Sequence, residues 1–210
     1  PDTLRIVQLN IGSLIEPEWD RRRHEIIAWI ERLEPDVLCF QEAWEDSGHP
    51  NSVAWLVEQL IDRLGIEWHW CFGGFSLPPQ LYPDPTLLFG SAILSRWPIE
   101  EHTLHPLPVD DHPDPWRRLQ MELLHARTAG LDIFSTHLVP APDHAYHRVA
   151  QVIALDDIVK ANTRIEAAPG LHGKRAGMPS IVCGDFNAEP DSDEMRYLTS
   201  LAVIGGRSVF

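Results

Sequence analysis

The sequence predicts an α+β fold in which layers of β-sheet pack between helices. Strand-like apolar runs alternate with helical periodicity towards both ends of the chain, and the middle carries short strand patterns without helices. Hydrophobic residues make up 44% and charged residues 23% of the 210 residues, which is ordinary for a globular protein. At roughly 150 residues per domain, we expect a single domain over residues 1–210.

The first third of the chain alternates strands and helices. Apolar runs predict buried strands over residues 4–11 and 36–40, the second ending at Gln41-Glu42. Helical spacing predicts a helix over residues 17–33 and another over residues 51–64. The apolar face of the first helix carries Trp19, Ile26, Ile27, Ile30 and Leu33. Asn51 or Ser52 is the expected N-cap of the second helix and Gly65 its expected C-cap.

The remaining elements follow from shorter patterns. Strands are predicted over residues 66–72, 89–95, 99–107, 118–126, 131–135 and 180–183, mostly antiparallel in the centre of the chain. Helices are predicted over residues 144–160 and from Ser192 to about residue 201. Loops are predicted over residues 73–85, 106–115 and 169–179, where glycine and proline are frequent.

Charge and cysteine content exclude several classes of protein. The formal net charge of −14 disfavours a protein that coats nucleic acid, because polyanions would be repelled at long range. A phosphate ester remains compatible with this charge if a bound cation neutralises the site locally. Cys39, Cys71 and Cys183 all lie in apolar runs, so we expect buried thiols and no disulfide framework. No stretch is long and apolar enough to predict a membrane span or a secretory signal.

Polar residues follow several of the predicted buried strands. They are Asn10, Glu42, His137, and Asp185 with Asn187. One such residue would ordinarily be the first solvated position of a loop. Together, carboxylate and amide oxygens suit Mg²⁺, and a nearby imidazole can donate a hydrogen bond to phosphate or move a proton. The sequence therefore predicts a site for one hard cation and one phosphate.

Five segments that carry these residues occur in a characteristic order. They are LNIG at 9–12, DVLCFQE at 36–42, GSAILSR at 90–96, STHL at 135–138 and GDFN at 184–187. In order and spacing they resemble the motifs of the endonuclease/exonuclease/phosphatase superfamily of metal-dependent phosphoesterases. The resemblance implies the DNase I-like fold, a four-layer sandwich of two mainly antiparallel sheets flanked by helices.

The resemblance also implies a role for each matching residue. Glu42 corresponds to the main metal ligand, with Asn10 beside it on the metal's water shell or on the phosphate. Asp185 would orient or deprotonate the attacking water, and Asn187 would hold the phosphate or Asp185. His137 would bind a phosphoryl oxygen and stabilise its charge. The implied cofactor is Mg²⁺ or Mn²⁺, and we expect Gly90, Ser91 and Ala92 to serve packing.

The chain departs from the superfamily pattern near its end. The family closes with an aspartate in a late strand and an Asp-His pair, but no histidine follows Asn187 and no aspartate follows Asp193. We therefore expect a domain truncated at the C-terminus, without its last strands and with little activity of its own. A degenerate, non-catalytic binding module is the alternative.

The substrate class is less constrained by the sequence. The STHL motif, followed by a helix with Arg148 and Gln151, favours the sphingomyelinase or general phosphodiesterase branch. A nuclease or an inositol-phosphate phosphatase remains an alternative, so the substrate is a phospholipid, a nucleic acid or an inositol phosphate. We expect a monomer without a transmembrane segment, and both a cytoplasmic and a secreted location remain open.

Other features have simpler interpretations. His144 and His147 could hold a transition metal, but the sequence offers no convergent third ligand. Residues 21–23, all arginine, and the pair Arg148 and Gln151 are the pattern of a solvated helix face. Tryptophans at positions 19, 29, 55, 68 and 70 are expected to face the core. Aromatic and apolar loop residues, among them Phe75 and Trp116, could contact a lipid or a base or simply pack within the loops.

Overall fold

The computed structural model describes residues 3–163, 165–167, 175–177 and 180–209. Its strands are β1 (Ile6–Asn10), β2 (Val37–Glu45), β3 (His69–Ser76), β4 (Leu88–Ser95), β5 (Ile99–Pro106), β6 (Glu122–Thr128), β7 (Leu131–His137), β8 (Ile165–Ala167), β9 (Arg175–Gly177) and β10 (Ser180–Asp185). Its helices are α1 (Trp19–Leu33), α2 (Ser52–Leu64), α3 (Ala145–Asn162) and α4 (Asp193–Leu198), with a 3₁₀ turn over Pro115–Arg118. Among the described helices, none is both long and apolar enough to cross a bilayer.

Two four-stranded sheets face each other between two layers of helices. The first has the order β1-β2-β4-β3 and the second the order β10-β7-β6-β5, while β8 and β9 form a separate hairpin-like pair. One apolar cluster joins α1 and α2 to the first sheet, and a second joins α3 and α4 to the other sheet. A third cluster, with Cys39, Ile93 and Ile133, fills the space between the sheets. The predicted α+β sandwich is confirmed.

Each sheet is mixed. The pairs β1–β2 and β7–β10 are parallel, and the other pairs within the two sheets are antiparallel. In the sequence, helix α1 connects the strands of the first parallel pair, and α3 is part of the connection between β7 and β10. The parallel pairs bring the carboxyl ends of β1, β2, β7 and β10 to one edge of the sandwich.

The helices match the sequence patterns more closely than the strands do. Helix α2 begins after Asn51, whose Oδ1 accepts from the Val53 amide at 2.9 Å, and it is capped by Gly65, whose backbone lies in the left-handed region. Strand β3 instead begins at His69 and continues through the predicted loop to Ser76, because it pairs with β4 along its whole length. Strand β2 likewise continues past Glu42 to Glu45, and the last helix ends at Leu198, earlier than expected.

Several burial predictions were wrong. Strands β1 and β10 lie at sheet edges and are half-buried, because each has a neighbouring strand on one side only among the described residues. Cys39 and Cys71 are buried as expected, but Cys183 is only partly buried. Trp29 is 56% exposed, because it lies on the outer side of α1. Most of the predicted loop over residues 169–179 lies outside the described residues, and residues 175–177 form β9.

Candidate active site

The two parallel strand pairs place the predicted site residues at one edge of the sandwich. Asn10 lies beside Gln41 in the register of β1 and β2, and His137 lies beside Asp185 in the register of β7 and β10. The amide Nδ2 of Asn10 donates to Glu42 Oε1 at 2.8 Å and to Asp185 Oδ2 at 3.0 Å. A single amide thus joins a carboxylate of each sheet.

The backbone at Glu42 is held in an uncommon conformation. Its φ of 59° lies in the left-handed region, at the bulge that interrupts the pairing of β2 with β4. The Ser13 amide donates to the Glu42 carbonyl at 3.3 Å, and the Ser13 hydroxyl donates to the same oxygen. Such strain persists only where neighbouring contacts fix it, and it is common at functional sites. The bulge turns the Glu42 carboxylate towards Asn10.

Asn187 supports the site from the other sheet. It also has a left-handed backbone, with a φ of 48°. Its amide N–H donates to Asp185 Oδ1 at 3.0 Å, and its side-chain Nδ2 donates to the Leu138 carbonyl at 2.8 Å. Asn187 therefore contacts Asp185 through its backbone and fixes the segment that follows His137.

His137 completes the group. Its Nε2 lies 3.8 Å from Asp185 Oδ2, too far for a direct hydrogen bond, and its side chain is 13% exposed. Burial lowers the pKa of His137, although the carboxylates of Asp185 and Glu42 raise it in part. The lowered pKa favours the neutral imidazole, which has one N–H to donate.

The donor set fits a hard divalent cation. The described residues contain no group of three or more His, Cys, Asp or Glu side chains arranged to hold a metal ion. That finding also gives no support to a transition-metal site at His144 and His147. Mg²⁺, however, is usually bound by only one or two protein carboxylates, with water and phosphate oxygens as its other ligands. Glu42, beside Asp185 and the Asn10 amide, meets that requirement.

A cavity of about 230 Å³ opens at these residues. Glu42, His137, Asp185 and Asn187 line it together with apolar side chains. Larger cavities lie elsewhere, including a groove of about 510 Å³ between β1 and α1, which Gln8, Asn10, Arg22 and Glu25 help to line. Glu42, His137 and Asp185 do not line that groove. Convergent polar groups, not volume, therefore identify the candidate site.

Two polar residues that support the site were not expected from the sequence. Gln41 is fully buried, and its Nε2 donates to Ser135 Oγ at 3.0 Å, from the first sheet to the second. Arg22 was expected on a solvated face, but it donates to the carbonyls of Ile11 and Gly12 at 2.7 Å each, and so holds the loop after Asn10. A long polar side chain can reach back from a helix to such carbonyls, which the helical pattern does not reveal.

Arg148 and Gln151 also differ from the expected solvated face. Both are buried on α3. Arg148 forms an ion pair with Glu194 of α4 at 2.7 Å and donates to the Ala141 carbonyl. Gln151 accepts from the Val139 amide at 3.1 Å. These side chains fix the segment that follows His137, so Arg148 and Gln151 have a structural role near the site.

The motif residues expected to serve packing do so. A Cβ on Gly90 would lie 1.9 Å from the Gly73 carbonyl oxygen on the adjacent strand. Ser91 and Ala92 are buried in β4. Close approach of β3 and β4 requires glycine at this position.

The sequence was compared with models of known protein families. The Endonuclease/Exonuclease/phosphatase family matches residues 7–206, nearly the whole chain. The chain belongs to the endonuclease/exonuclease/phosphatase family. Members of this family are hydrolases that act on phosphate esters.

Solved structures of this family share the fold. An endonuclease/exonuclease/phosphatase from Beutenbergia cavernae is 21% identical with a TM-score of 0.64, and the match covers 94% of this chain and 53% of that one. The human Nocturnin catalytic domain with bound sulfate is 23% identical with a TM-score of 0.62, and the match covers 94% and 68% of the two chains. ANGEL2, a 2′,3′-cyclic phosphatase, is 17% identical with a TM-score of 0.62, and the match covers 93% of this chain and 56% of that one. The chain thus spans about half the length of the Beutenbergia protein, and no curated protein sequence matches it significantly.

Proposed function

We propose that this protein is a Mg²⁺-dependent phosphodiesterase that hydrolyses its substrate by in-line attack of water on phosphorus. The observation that carries the proposal is the Asn10 amide, which holds Glu42 and Asp185 together from opposite sheets beside His137. Family members generally use divalent metal ions. Glu42 would hold the ion, with Asn10 beside it, and Mn²⁺ would substitute for Mg²⁺.

Each residue has a distinct part in the proposed reaction. When bound, the cation would polarise a P–O bond and stabilise charge on the leaving oxygen. Asp185 orients the attacking water, since each of its oxygens already accepts one hydrogen bond and keeps a free lone pair. The neutral His137 donates its N–H to a phosphoryl oxygen, where charge increases in the transition state.

Asn10 and Asn187 are positioning residues in this proposal. Asn10 fixes the separation of the two carboxylates, and Asn187 fixes the orientation of Asp185 through its backbone amide. Preorganised polar groups of this kind need not rearrange as the reaction proceeds, which is the source of their effect on rate.

The proposed substrate is a phospholipid of the sphingomyelin type or another simple phosphodiester. The net charge of −14 supports this choice over a habitual polyanionic partner. A nuclease or inositol-phosphate phosphatase activity is the competing outcome of the same assay. Solved relatives bind or act on different esters: ANGEL2, one of the structures compared above, is a 2′,3′-cyclic phosphatase. D. rerio TDP2, which is 16% identical with a TM-score of 0.58, is complexed with a single-stranded DNA product.

The test is hydrolysis of sphingomyelin, a phosphoinositide and single-stranded DNA, with Mg²⁺ and with EDTA. We expect Mg²⁺-dependent release from sphingomyelin by the protein in its full natural length, and little release by the 210-residue chain alone. His137→Ala should lower the rate by about a hundredfold, the usual cost of one lost transition-state donor. His102→Ala, on the exposed side of β5, is the control. Equal rates in EDTA, or an unaffected His137→Ala, would contradict the proposal.

A further inference from the structure

The cavity at the candidate site has one polar end and one apolar wall. Seven of its lining residues are apolar: Ile15, Phe75, Phe89, Trp116, Leu119, Met121 and Pro140. Four of them are buried and form a fixed surface, in which the rings of Phe75 and Phe89 meet edge to face at 6.0 Å. The catalytic chemistry proposed above does not require such a wall.

Two exposed apolar side chains stand at this cavity. Ile15 is 52% and Trp116 is 45% exposed, although both line it. Large apolar side chains left in water beside a polar centre are typical of surfaces that contact a ligand. A substrate group placed against Trp116 would be buried on one side by an aromatic ring.

Trp116 is held in place by its own short turn. The Asp114 carboxylate accepts from the Trp116 amide at 3.0 Å. The next residue, Arg117, forms an ion pair with Asp143 at 2.6 Å. The turn is thereby fixed to the segment that precedes α3, so the backbone that carries the ring is already ordered before a ligand binds.

The charge of the cavity limits the substrate further. Among the described residues, none of those lining it is lysine or arginine, while two, Glu42 and Asp185, are carboxylates. One divalent cation would balance those two charges and one phosphodiester would add a single negative charge. A second or third phosphate would find no cationic side chain in the cavity.

From this wall, this charge and this volume, we infer that the site selects a phosphodiester with one negative charge and an apolar, ring-sized group beside phosphorus, and that Trp116 determines this selection. The inference rests on the proposed function and concerns the simple phosphodiesters named there, because sphingomyelin has no apolar ring beside phosphorus. A cavity of about 230 Å³ accepts one ring next to the phosphate, and it is below the roughly 300–1,000 Å³ usual for larger ligands.

The test compares two esters with the same leaving group. Methyl 4-nitrophenyl phosphate and phenyl 4-nitrophenyl phosphate differ only in the group that the cavity would contact. We expect the phenyl ester to have the higher kcat/KM, by about tenfold, the value of one well-packed aromatic contact. Trp116→Ala should remove most of that preference, acting through KM, and Trp116→Phe should restore it.

A second tryptophan supplies the matched control. Trp29 is exposed on the outer side of α1 and belongs to a different groove, so Trp29→Ala should leave the preference unchanged. Binding is measured separately by calorimetry near pH 6, where phenylphosphonate and methylphosphonate each carry about one negative charge. These two ligands and an inositol trisphosphate are compared in the presence of Mg²⁺. Phenylphosphonate should bind most tightly.

The outcomes separate this inference from the proposed function. Hydrolysis of both esters at equal kcat/KM would overturn the inference and leave the phosphodiesterase in place. Preferential binding of phenylphosphonate that depends on Trp116, without hydrolysis of either ester, would support the inference and contradict the proposed function. Tighter binding of the inositol trisphosphate would overturn the argument from charge.

Discussion

The buried ion pair between Arg148 and Glu194 fixes the segment after His137, and its removal should be strongly destabilising. The side chains are 5% and 1% exposed, and the Arg148 guanidinium also donates to the carbonyls of Val139 and Ala141. Arg148→Met keeps most of the side-chain volume but leaves the Glu194 charge buried. Among the described residues, one Glu194 oxygen already has no hydrogen-bond partner.

The magnitude follows from that uncompensated charge. Removal of one partner of a buried ion pair costs about 3–5 kcal/mol, whereas the loss of an exposed pair costs at most about 1 kcal/mol. We expect Arg148→Met to lower the free energy of unfolding by the larger amount. Arg21→Met, which breaks the exposed pair with Glu18, is the control and should change it little.

Urea denaturation at pH 7 measures both variants, with unchanged m-values as the condition for comparing them. The double variant Arg148→Met/Glu194→Leu should be more stable than the sum of the single losses predicts, because it leaves no buried charge unpaired. If Arg148→Met costs under about 1 kcal/mol, or if the two substitutions are additive, the pair does not have the role assigned to it.

Three further predictions concern single residues near the site. Burial raises the pKa of Glu122 from 4.5 to about 7, so its stabilising contribution is complete below pH 4.5 and is lost as pH rises through about 7. Solvent screening at this half-buried carboxyl limits the loss of stability to about 1–2 kcal/mol. Thermal unfolding measured between pH 4.5 and 8 should show this pH-dependent loss in the unaltered protein and not in Glu122→Gln. A Cβ at Gly184 would lie 2.0 Å from the Thr136 carbonyl oxygen, so Gly184→Ala should cost several kcal/mol in urea denaturation, and a loss under 1 kcal/mol would contradict the pairing of β10 with β7. Arg22→Ala removes donors from two carbonyls next to Asn10, so amide hydrogen exchange should increase over residues 11–16, and unchanged exchange would contradict its anchoring role.

Local signals explain which elements could be predicted from the sequence. Helix α2 carries both of its caps in the sequence, Asn51 and Gly65, and its bounds were predicted within one residue. Strand β3 has no comparable signal. Its limits are set by pairing with β4, a partner distant in sequence, and so the pattern placed it too early.

The residues proposed for the candidate site follow from the sequence, but their geometry does not. Asn10, Glu42, His137 and Asp185 are singled out because they follow several predicted strands at once, in segments whose order resembles the superfamily motifs. Their convergence depends on two parallel pairings and on the bulge at Glu42, which no short segment encodes. Supporting residues such as Arg148 were missed because charged side chains on a helix are usually solvated.

Divalent-cation binding at Glu42 is the central claim, and calorimetric titration of the protein with Mg²⁺ and with Mn²⁺ tests it most directly. We predict one binding site per chain, lost in Glu42→Gln and retained in the control Glu58→Gln, whose side chain is exposed on α2. Glu42→Gln keeps the size of the side chain and its capacity to accept from Asn10, so a loss of binding reports the missing charge. Unchanged affinity in Glu42→Gln, or no binding to the unaltered protein, would contradict the account.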